Sequence, residues 1–393
     1  MATTTRRALF ALTILIHLAG CAERIFEPAH PVTRPVPVAP PPLPEYRGPA
    51  TRSFLMGFTR WPADLTREGV AIAEDYADAH GDIVSLTFNG GIPWAEALEG
   101  KPYPQDVQEN FKYRPPAGKK LLLSISPLDK DRRGLAPKWA ETDNQPLAPP
   151  WNREPLNSAR VKRAYLNFVL RAIETMRPDF LAIGVESNVL LSRDLLKWEQ
   201  FKDLHRETYR AVKKMHKALP VFFTTDVLHY KRLARDARGT QQEKEVADLM
   251  RFSDLFAMSV YPHMSADVPR PVPANFLDFA TRFRRPVAVA ESGMSARDVE
   301  LRSYSTTLRG SDTDQYQFTE LLLKTAARDY YEFVINFAST DFERLVARLQ
   351  PPLDDLARIW AYTGMQTSDQ RPKPASAIWD GFLRAKYEQA KWW

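Results

Sequence analysis

The chain of 393 residues has a single cysteine, Cys21, and only 16 glycines. One cysteine excludes an internal disulfide, a structural zinc site made of cysteines and a paired-thiol redox centre. The sequence also lacks a glycine-rich phosphate loop, a Gly-x-Ser-x-Gly elbow and a His-Glu-x-x-His pair, the patterns of nucleotide-binding proteins, serine hydrolases and zinc proteases. We therefore expect a protein with no cofactor and no metal ion.

Charge of one sign is not concentrated in any part of the chain. The formal net charge is +6, from 54 basic and 48 acidic residues that are scattered along the sequence. A nucleic-acid-binding protein usually gathers its basic residues on one face, so we expect no nucleic-acid partner. With 44% hydrophobic and 26% charged residues, the composition is that of a globular protein with a sizeable core.

Residues 1–20 have the pattern of a secretory signal peptide. Two arginines precede an apolar run that is too short to span a bilayer, since a spanning helix takes about 20 apolar residues. The run ends in Leu-Ala-Gly-Cys at Cys21, which resembles the lipobox of bacterial lipoproteins. That resemblance implies cleavage before Cys21 and acylation of its thiol, and two or more acyl chains give stable membrane attachment. The alternative is a buried structural cysteine beside an ordinary signal peptide.

Residues 21–49 are expected to link the lipidated cysteine to the folded domain. Nine prolines lie between residues 28 and 49, which predicts an extended spacer, with a proline-rich ligand for a recognition module as the alternative. We expect the domain of residues 50–393 to be a monomer in the cell envelope, attached to a membrane by its lipid. By resemblance to the sorting rule of enteric bacteria, Ala22 in place of aspartate favours the outer membrane, and a position on the periplasmic face is also consistent.

Within residues 50–393, short apolar runs alternate with amphipathic helical patterns. Eight runs have the length of strands: 54–58, 82–88, 120–126, 180–186, 221–227, 255–261, 286–292 and 332–338. Helical patterns occupy 64–79, 158–176, 194–218, 241–252, 275–283 and 314–329. Continuously apolar strands indicate a parallel sheet that is buried on both faces. The order predicts one α/β domain with a (β/α)8 TIM barrel, and a doubly wound open sheet is the alternative.

Two of the predicted strands, the fourth and the seventh, have a glutamate at or next to their last residue. These residues are Glu186 and Glu291. In a (β/α)8 barrel the active site is built at the carboxyl ends of the strands. A carboxylate at a buried strand end costs free energy unless it is paired or functional. One such glutamate leaves a structural ion pair and a functional role equally open, whereas two in corresponding positions favour a shared functional site.

Glutamates after strands four and seven resemble the signature of clan A glycoside hydrolases. The segments IGVESN followed by VLLS, SVYP, and VAVAESG are most similar to the endo-β-1,4-galactanase (arabinogalactanase) family. The resemblance implies an O-glycosyl hydrolase that cleaves β-linked, galactan-like polysaccharide or oligosaccharide with retention, with Glu186 as general acid/base and Glu291 as nucleophile. It also implies that Tyr261 donates a hydrogen bond to the nucleophile, whereas a tyrosine in a turn at the barrel rim is the alternative.

Two departures from the clan pattern leave an unusual substrate or an inactive relative that only binds as alternatives. Clan members carry asparagine before the acid/base, where it contacts the sugar 2-hydroxyl, and this chain has Val185 instead. Asn188 or Asn89 is the candidate to supply that contact. The tryptophan at the end of strand eight is also absent, and Asn336 is either a binding residue or a hydrogen-bonded loop residue. The alternative function is a catalytically impaired envelope lipoprotein that only binds glycan.

Further candidates for sugar binding lie in the loops that follow the predicted strands. Tryptophan rings suit the apolar faces of sugars, although tryptophan is also a common core residue. Histidines after strands five and six are candidates to contact substrate hydroxyls. These candidates are Trp61, Trp94, Trp139, Trp151, His229 and His263.

Overall fold

The structure, a computed structural model, describes residues 46–350 and 353–390. The predicted signal peptide 1–20, Cys21 and most of the proline-rich linker 21–49 lie outside the described residues. No helix in the two described ranges combines the length and the apolar composition needed to cross a membrane.

Eight parallel strands form the centre of the domain. They are β1 (Leu55–Thr59), β2 (Ile83–Phe88), β3 (Lys120–Ile125), β4 (Phe180–Ala182), β5 (Val221–Phe222 and Thr224–Asp226), β6 (Phe256–Val260), β7 (Val287–Ser292) and β8 (Phe333–Asn336). Neighbours in sequence pair with each other, and β8 also pairs with β1, so the sheet curls into a ring. The two segments of β5 are separated by Phe223, and they pair with β4 and β6 respectively. The predicted (β/α)8 barrel is therefore confirmed, and the open sheet is excluded.

The helices follow the strands in the expected alternation. Those of the described residues are α1 (Arg67–Ala79), α2 (Trp94–Glu99), α3 (Gln105–Phe111), α4 (Ala159–Met176), α5 (Val189–Arg193), α6 (Leu195–Met215), α7 (Val227–Tyr230), α8 (Gln242–Leu249), α9 (Asp312–Arg328), α10 (Glu343–Val346), α11 (Leu353–Arg358) and α12 (Pro374–Leu383). Four long helices begin where a side chain accepts a hydrogen bond from the backbone N–H three residues later, which satisfies one of the free donors of the first turn. These caps are Thr66, Ser158, Asp194 and Ser311.

The structure differs from the predicted helices after β6 and after β8. The segment predicted as a helix at 275–283 contains the 3-10 helix Asp278–Phe283. Pro273 and Pro286 bound this segment, and Arg284 ends it in a left-handed conformation with a φ of 51°. After β8 the sequence patterns missed α10 and α11. The chain then forms α12, whose first turn begins at Pro374, a position that proline tolerates because the N–H there needs no helical partner.

Apolar side chains fill the interior of the barrel and end below its carboxyl edge. Phe180 of β4 and Phe222 of β5 both contact Phe333 of β8, with ring centroids 4.9 and 6.1 Å apart. A second apolar layer separates the strands from the surrounding helices. Towards the carboxyl ends of the strands, small polar residues take the place of these apolar side chains: Ser85, Ser124, Thr224 and Ser259. The interior thus changes from apolar to polar in the direction of the predicted site.

The chain enters the barrel at the amino-terminal edge of the strands. Thr51–Arg52 pairs in parallel with Lys386–Tyr387, and Arg52 forms a 2.8 Å ion pair with Asp82, which directly precedes β2. Tyr46 stacks on Phe382 of α12 with a centroid distance of 6.1 Å. The linker therefore joins the domain on the side opposite the carboxyl ends of the strands.

Candidate active site

Glu291 reaches the mouth of the barrel through an irregularity in the pairing of β6 with β7. Met258 pairs with Val289, but the next residue, Ser259, pairs with Glu291, so β7 has one extra residue at this point. Such a bulge turns the following side chain to the opposite face of the strand, because side chains alternate along a strand. Ala290, the extra residue, packs in the barrel interior, and Glu291 lines a cavity at the mouth.

Glu186 lies beyond the regular part of β4, which ends at Ala182 rather than at the predicted residue 186. The segment stays beside β5 through Thr224, whose N–H donates to Gly184 O at 2.9 Å. The Thr224 hydroxyl accepts a hydrogen bond of 2.7 Å from the Glu186 N–H. Glu186 has a φ of 47°, a left-handed conformation that is uncommon for residues other than glycine and that recurs at functional sites.

The two glutamates interact electrostatically. Burial raises the pKa of Glu291, and the charge of Glu186 raises it further. Burial also raises the pKa of Glu186, against the lowering effect of the Arg132 guanidinium. Such a pair binds and releases protons as one unit, and it retains a proton at a pH where an exposed glutamate is ionised.

Tyr261 lies beside Glu291 at the end of β6. Its hydroxyl donates a 3.0 Å hydrogen bond to Oε2 of Glu291, which is the contact that the sequence resemblance implied. Burial and the charges of both glutamates raise the pKa of Tyr261 well above its ordinary value, so the hydroxyl keeps its proton. The hydrogen bond opposes the rise in the pKa of Glu291.

Arg132, in the loop between β3 and α4, contacts the other glutamate. Its Nη2 lies 3.1 Å from Oε2 of Glu186, and its Nε donates a 2.8 Å hydrogen bond to the backbone carbonyl of Val185. Arg132 is not among the site residues predicted from the sequence, because the long loop that carries it has no sequence pattern that indicates a site. Only its predicted position after a barrel strand could have indicated proximity to Glu186.

His229 and Asp226 form a third charged group at the end of β5. The His229 Nδ1 lies 2.6 Å from Oδ1 of Asp226, and its Nε2 lies 3.2 Å from Asp236. Burial lowers the pKa of His229, but the hydrogen bond and charge of Asp226, with Asp236 and Glu186, outweigh burial and raise it overall. The carboxylate of Asp226 in turn raises the pKa of Glu186. The positive charge of His229 in turn lowers the pKa of Glu186.

A cavity beside Glu291 contains two of the predicted sugar-binding residues. Trp61 and Asn89 line it, together with Phe337 at the end of β8. The ring of Trp61 is 5.3 Å from that of Phe337 and 5.5 Å from that of Phe342. The Trp61 indole N–H has no hydrogen-bond partner within the described residues. The cavity thus combines aromatic surface, an exposed amide and the Glu291 carboxylate.

Four other predicted sugar-binding residues are buried away from the cavity. The Asn188 amide nitrogen donates to Asp226 O and to Gln242 Oε1, both at 3.0 Å, and His263 Nε2 lies 3.0 Å from Ile359 O. The remaining two are Trp94, whose indole donates to Ala136 O at 2.9 Å, and Asn336, whose amide donates to Ala338 O and Thr363 O at 2.8 and 2.9 Å. Each is at most 4% exposed, so direct contact with substrate has no geometric support in this structure.

The loop tryptophans after β3 also pack inside the protein. Trp139 is 2% exposed and donates a 2.6 Å hydrogen bond to Asp106. Trp151 is 8% exposed and stacks on Trp94 with ring centroids 5.5 Å apart. Both belong to the apolar layer around α4. Both tryptophans are therefore core residues, which was the alternative to sugar binding.

Trp360, two residues after α11, approaches the site from a segment in which the sequence predicts neither a strand nor a site residue. Its ring lies 6.0 Å from that of Tyr261 and 5.9 Å from that of Phe337. The end of β8 lacks the tryptophan of the clan pattern, and a tryptophan from a later part of the chain lies next to this strand end instead. Trp360 could not be predicted as a site residue, because it is far from β6 and β8 in sequence and no pattern near it indicates that its loop folds back on these strands.

Titratable side chains of the described residues do not assemble into a metal centre. Within residues 46–350 and 353–390, no group of three or more histidine, cysteine, aspartate or glutamate side chains is placed to hold a metal ion.

The family comparison supports the chemistry of this arrangement. Residues 136–342 match the family model described as glycosyl hydrolase family 53. This range contains Glu186, Tyr261 and Glu291, whereas Arg132, Trp61 and Asn89 lie outside it. By sequence, no curated protein matches the chain.

Solved structures with the same fold come from several glycoside hydrolase families. The Ignisphaera aggregans GH53 catalytic domain is 14% identical, with coverage of 88% of this chain and 100% of that chain and a TM-score of 0.55. A GH5_18 protein from Streptomyces cattleya in complex with Manb1-4GlcNAc is 17% identical, with coverage of 84% and 81% and a TM-score of 0.56. The exo-beta-1,4-mannosidase Op5Man5 from Opitutaceae bacterium strain TAV5 is 14% identical, with coverage of 86% and 61% and a TM-score of 0.52. At these identities the structures establish the shared barrel fold.

The family match covers more than half of the 393 residues and includes both strand-end glutamates. The chain therefore belongs to glycosyl hydrolase family 53 and is an O-glycosyl hydrolase, a retaining glycosidase that acts on β-glycans.

Proposed function

We propose that this hydrolase cleaves galactan-like β-linked polysaccharide through Glu291 as nucleophile and Glu186 as general acid/base. The observation that carries the assignment is the pair of partly buried glutamates at the carboxyl ends of β4 and β7, both within the range that matches the family model. Each has its own fixed partner, Arg132 for Glu186 and Tyr261 for Glu291. This asymmetry supports different roles for the two residues.

In the first half of the proposed reaction, the carboxylate of Glu291 attacks the anomeric carbon while Glu186 gives its proton to the departing glycosidic oxygen. The Tyr261 hydroxyl holds Oε2 of Glu291 and keeps its own proton. In the second half, Glu186 takes a proton from water, and that water displaces Glu291 from the sugar. Two displacements at one carbon leave the product in the configuration of the substrate.

The cavity beside Glu291 supports binding of a neutral sugar chain. Trp61 and Phe337 line this cavity and offer aromatic surface to the apolar face of a sugar. Asn89 is exposed at the same cavity and supplies an amide. Asn188 is committed to the protein interior, so Asn89 is the candidate that can compensate for Val185 near the sugar.

Attachment of the barrel to an envelope membrane through acylated Cys21 belongs to the same proposal. It rests on the Leu-Ala-Gly-Cys sequence and on the proline-rich spacer that follows. Entry of the chain at the amino-terminal edge of the strands is compatible with this attachment, because the mouth of the barrel stays accessible to a polymer.

The test is hydrolysis of β-1,4-galactan, β-glucan and β-mannan by the purified protein, with proton NMR of the first-formed product. We expect β-galactan to be cleaved with a β-configured initial product. Glu291→Gln should abolish hydrolysis, and Glu186→Gln should lower kcat by about 100- to 10,000-fold on substrates with a poor leaving group, since it removes the general acid.

Glu207→Gln is the matched control, because Glu207 lies on α6, is about half exposed and pairs with Lys162 on the barrel surface. It should hydrolyse galactan like the unaltered protein. Unchanged hydrolysis by Glu291→Gln would refute the nucleophile assignment, and glycan binding without hydrolysis by the unaltered protein would favour the impaired-barrel alternative.

A further inference from the structure

Arg132 is held in place by contacts that do not involve Glu186. Its own N–H donates to Asp129 O at 3.0 Å, within a turn that Asp129 N–H closes onto Gly134 O at 3.0 Å. Its Nη1 donates to Lys130 O at 2.7 Å, and Lys197 of α6 donates to the carbonyl of Arg133 at 2.6 Å. The turn therefore presents the guanidinium to Glu186 from a fixed position.

The guanidinium bonds two consecutive residues of the β4 end at once. Nε donates to the carbonyl of Val185 and Nη2 to the carboxylate of Glu186. The side chains of Arg132 and Glu186 are 15% and 23% exposed, so water screens their interaction less than that of a surface pair. The planar fork of arginine matches two acceptors in fixed geometry, which lysine cannot reproduce. Glu186 thus has a set orientation and a charged neighbour.

Charged and titratable groups face Glu186 from four parts of the barrel. They are Arg132 from the β3–α4 loop, Asp226 and His229 from the end of β5 and α7, Tyr261 from β6, and Glu291 from β7. The two other carboxylates disfavour ionisation of Glu186. Among these groups, Arg132 makes the direct contact that favours ionisation, and its effect on the pKa of Glu186 exceeds that of His229.

We propose that Arg132 is a positioning residue for Glu186: it orients the carboxyl group and sets how readily that group gives up and takes back its proton. The inference rests on the proposed function, in which Glu186 is neutral before the first step, anionic after it has protonated the leaving oxygen, and neutral again after it has taken a proton from water. Arg132 stabilises the anionic stage. It therefore makes Glu186 a stronger acid in the first half of the reaction and a weaker base in the second.

The test compares Arg132→Met, which removes the charge at similar side-chain length, with Arg132→Lys, which keeps the charge. The basic limb of the kcat/KM profile reports the acid of the free enzyme. Loss of the cation raises the pKa of Glu186, so this limb should move upward by about 1 pH unit or more in Arg132→Met. In Arg132→Lys it should stay closer to that of the unaltered protein. Arg133→Met, in the same turn but exposed, is the matched control and should leave the limb unmoved.

A second measurement does not depend on activity. In protein with 13C-labelled glutamate carboxyl groups, the Glu186 signal is identified by its loss in Glu186→Gln, and its titration midpoint is compared between variants. An upward shift in Arg132→Met supports the inference even if none of the glycans is hydrolysed, in which case the proposed function alone fails. Hydrolysis by the unaltered protein together with an unmoved midpoint and an unmoved basic limb in Arg132→Met would overturn the inference while the proposed function stands.

Discussion

Glu186 and Glu291 are both partly buried, and different groups dominate in opposing the effect of that burial on their pKa. The Arg132 cation lowers the pKa of Glu186, whereas at Glu291 the hydrogen bond from the neutral Tyr261 hydroxyl lowers the pKa more than Arg132 does. The Tyr261 hydroxyl has a strongly raised pKa and therefore keeps its proton across the working range of pH. Its hydrogen bond to Glu291 is present throughout that range. A nucleophile that must be ionised gains from such a permanent donor, because hydrogen bonds to a carboxylate favour its ionised form.

Tyr261→Phe should therefore shift the acid limb of the kcat/KM profile to higher pH and lower kcat. The hydrogen bond opposes the raised pKa of Glu291. Without it the pKa rises further, and a higher pH is needed to ionise the nucleophile. Loss of one hydrogen bond should cost about 1 kcal/mol of unfolding free energy. The measurement is a pH–rate profile together with urea unfolding.

Tyr331→Phe is the matched control for that change. Tyr331 is fully buried next to the start of β8, at the opposite edge of the barrel, and its hydroxyl has no partner within the described residues. Its removal should leave the acid limb in place. A Tyr261→Phe profile that superimposes on that of the unaltered protein would show that the hydroxyl does not act on Glu291.

At the scale of elements, the β4 and β5 ends are tied together by Asn188. This residue directly precedes α5, accepts a 2.7 Å hydrogen bond from the Asp226 N–H and donates to Asp226 O and to Gln242 of α8. It therefore fixes the strand end that carries the Asp226–His229 pair. Its role in the structure is to position these elements.

Asn188→Ala should destabilise the protein by roughly 2–4 kcal/mol, because it leaves buried polar groups of Asp226 and Gln242 without partners. Urea unfolding monitored by tryptophan fluorescence measures the change. Asn152→Ala, at an exposed position, should change the unfolding free energy by less than about 0.5 kcal/mol. Full stability of Asn188→Ala together with weaker glycan binding would instead favour the substrate contact predicted from sequence.

The sequence patterns predicted the strands of the barrel well, but they did not predict the backbone conformation at the strand ends. The eight apolar runs give the eight barrel strands, since burial on both faces makes each run continuous. The bulge before Glu291 and the left-handed backbone of Glu186 have no such pattern, because the partner strand decides both. Arg132 and Trp360 come from long or late loops, whose return to the barrel depends on tertiary packing. The glutamates were predictable because an acidic residue contrasts with the apolar strand before it.

At the scale of the whole molecule, the barrel separates the point where the chain enters from the candidate site. Arg52 and Tyr46 lie at the amino-terminal edge of the strands, while Glu186 and Glu291 lie at the carboxyl edge. A membrane anchor that precedes residue 46 would therefore be attached to the side of the domain away from the mouth. With such a separation, release of the anchor should change where the enzyme is found without changing its chemistry.

Cys21→Ser should move the protein from the membrane fraction to the soluble fraction and abolish labelling by radioactive palmitate, because serine offers no thiol for acylation. The specific activity per mole on soluble galactan should stay the same, since the site lies at the opposite edge of the barrel. Ala29→Ser, in the same linker, should remain acylated and membrane-bound. Palmitate incorporation into Cys21→Ser, or its absence from the unaltered protein, would contradict the lipid anchor, whereas loss of specific activity would show that the linker and the barrel mouth are not independent.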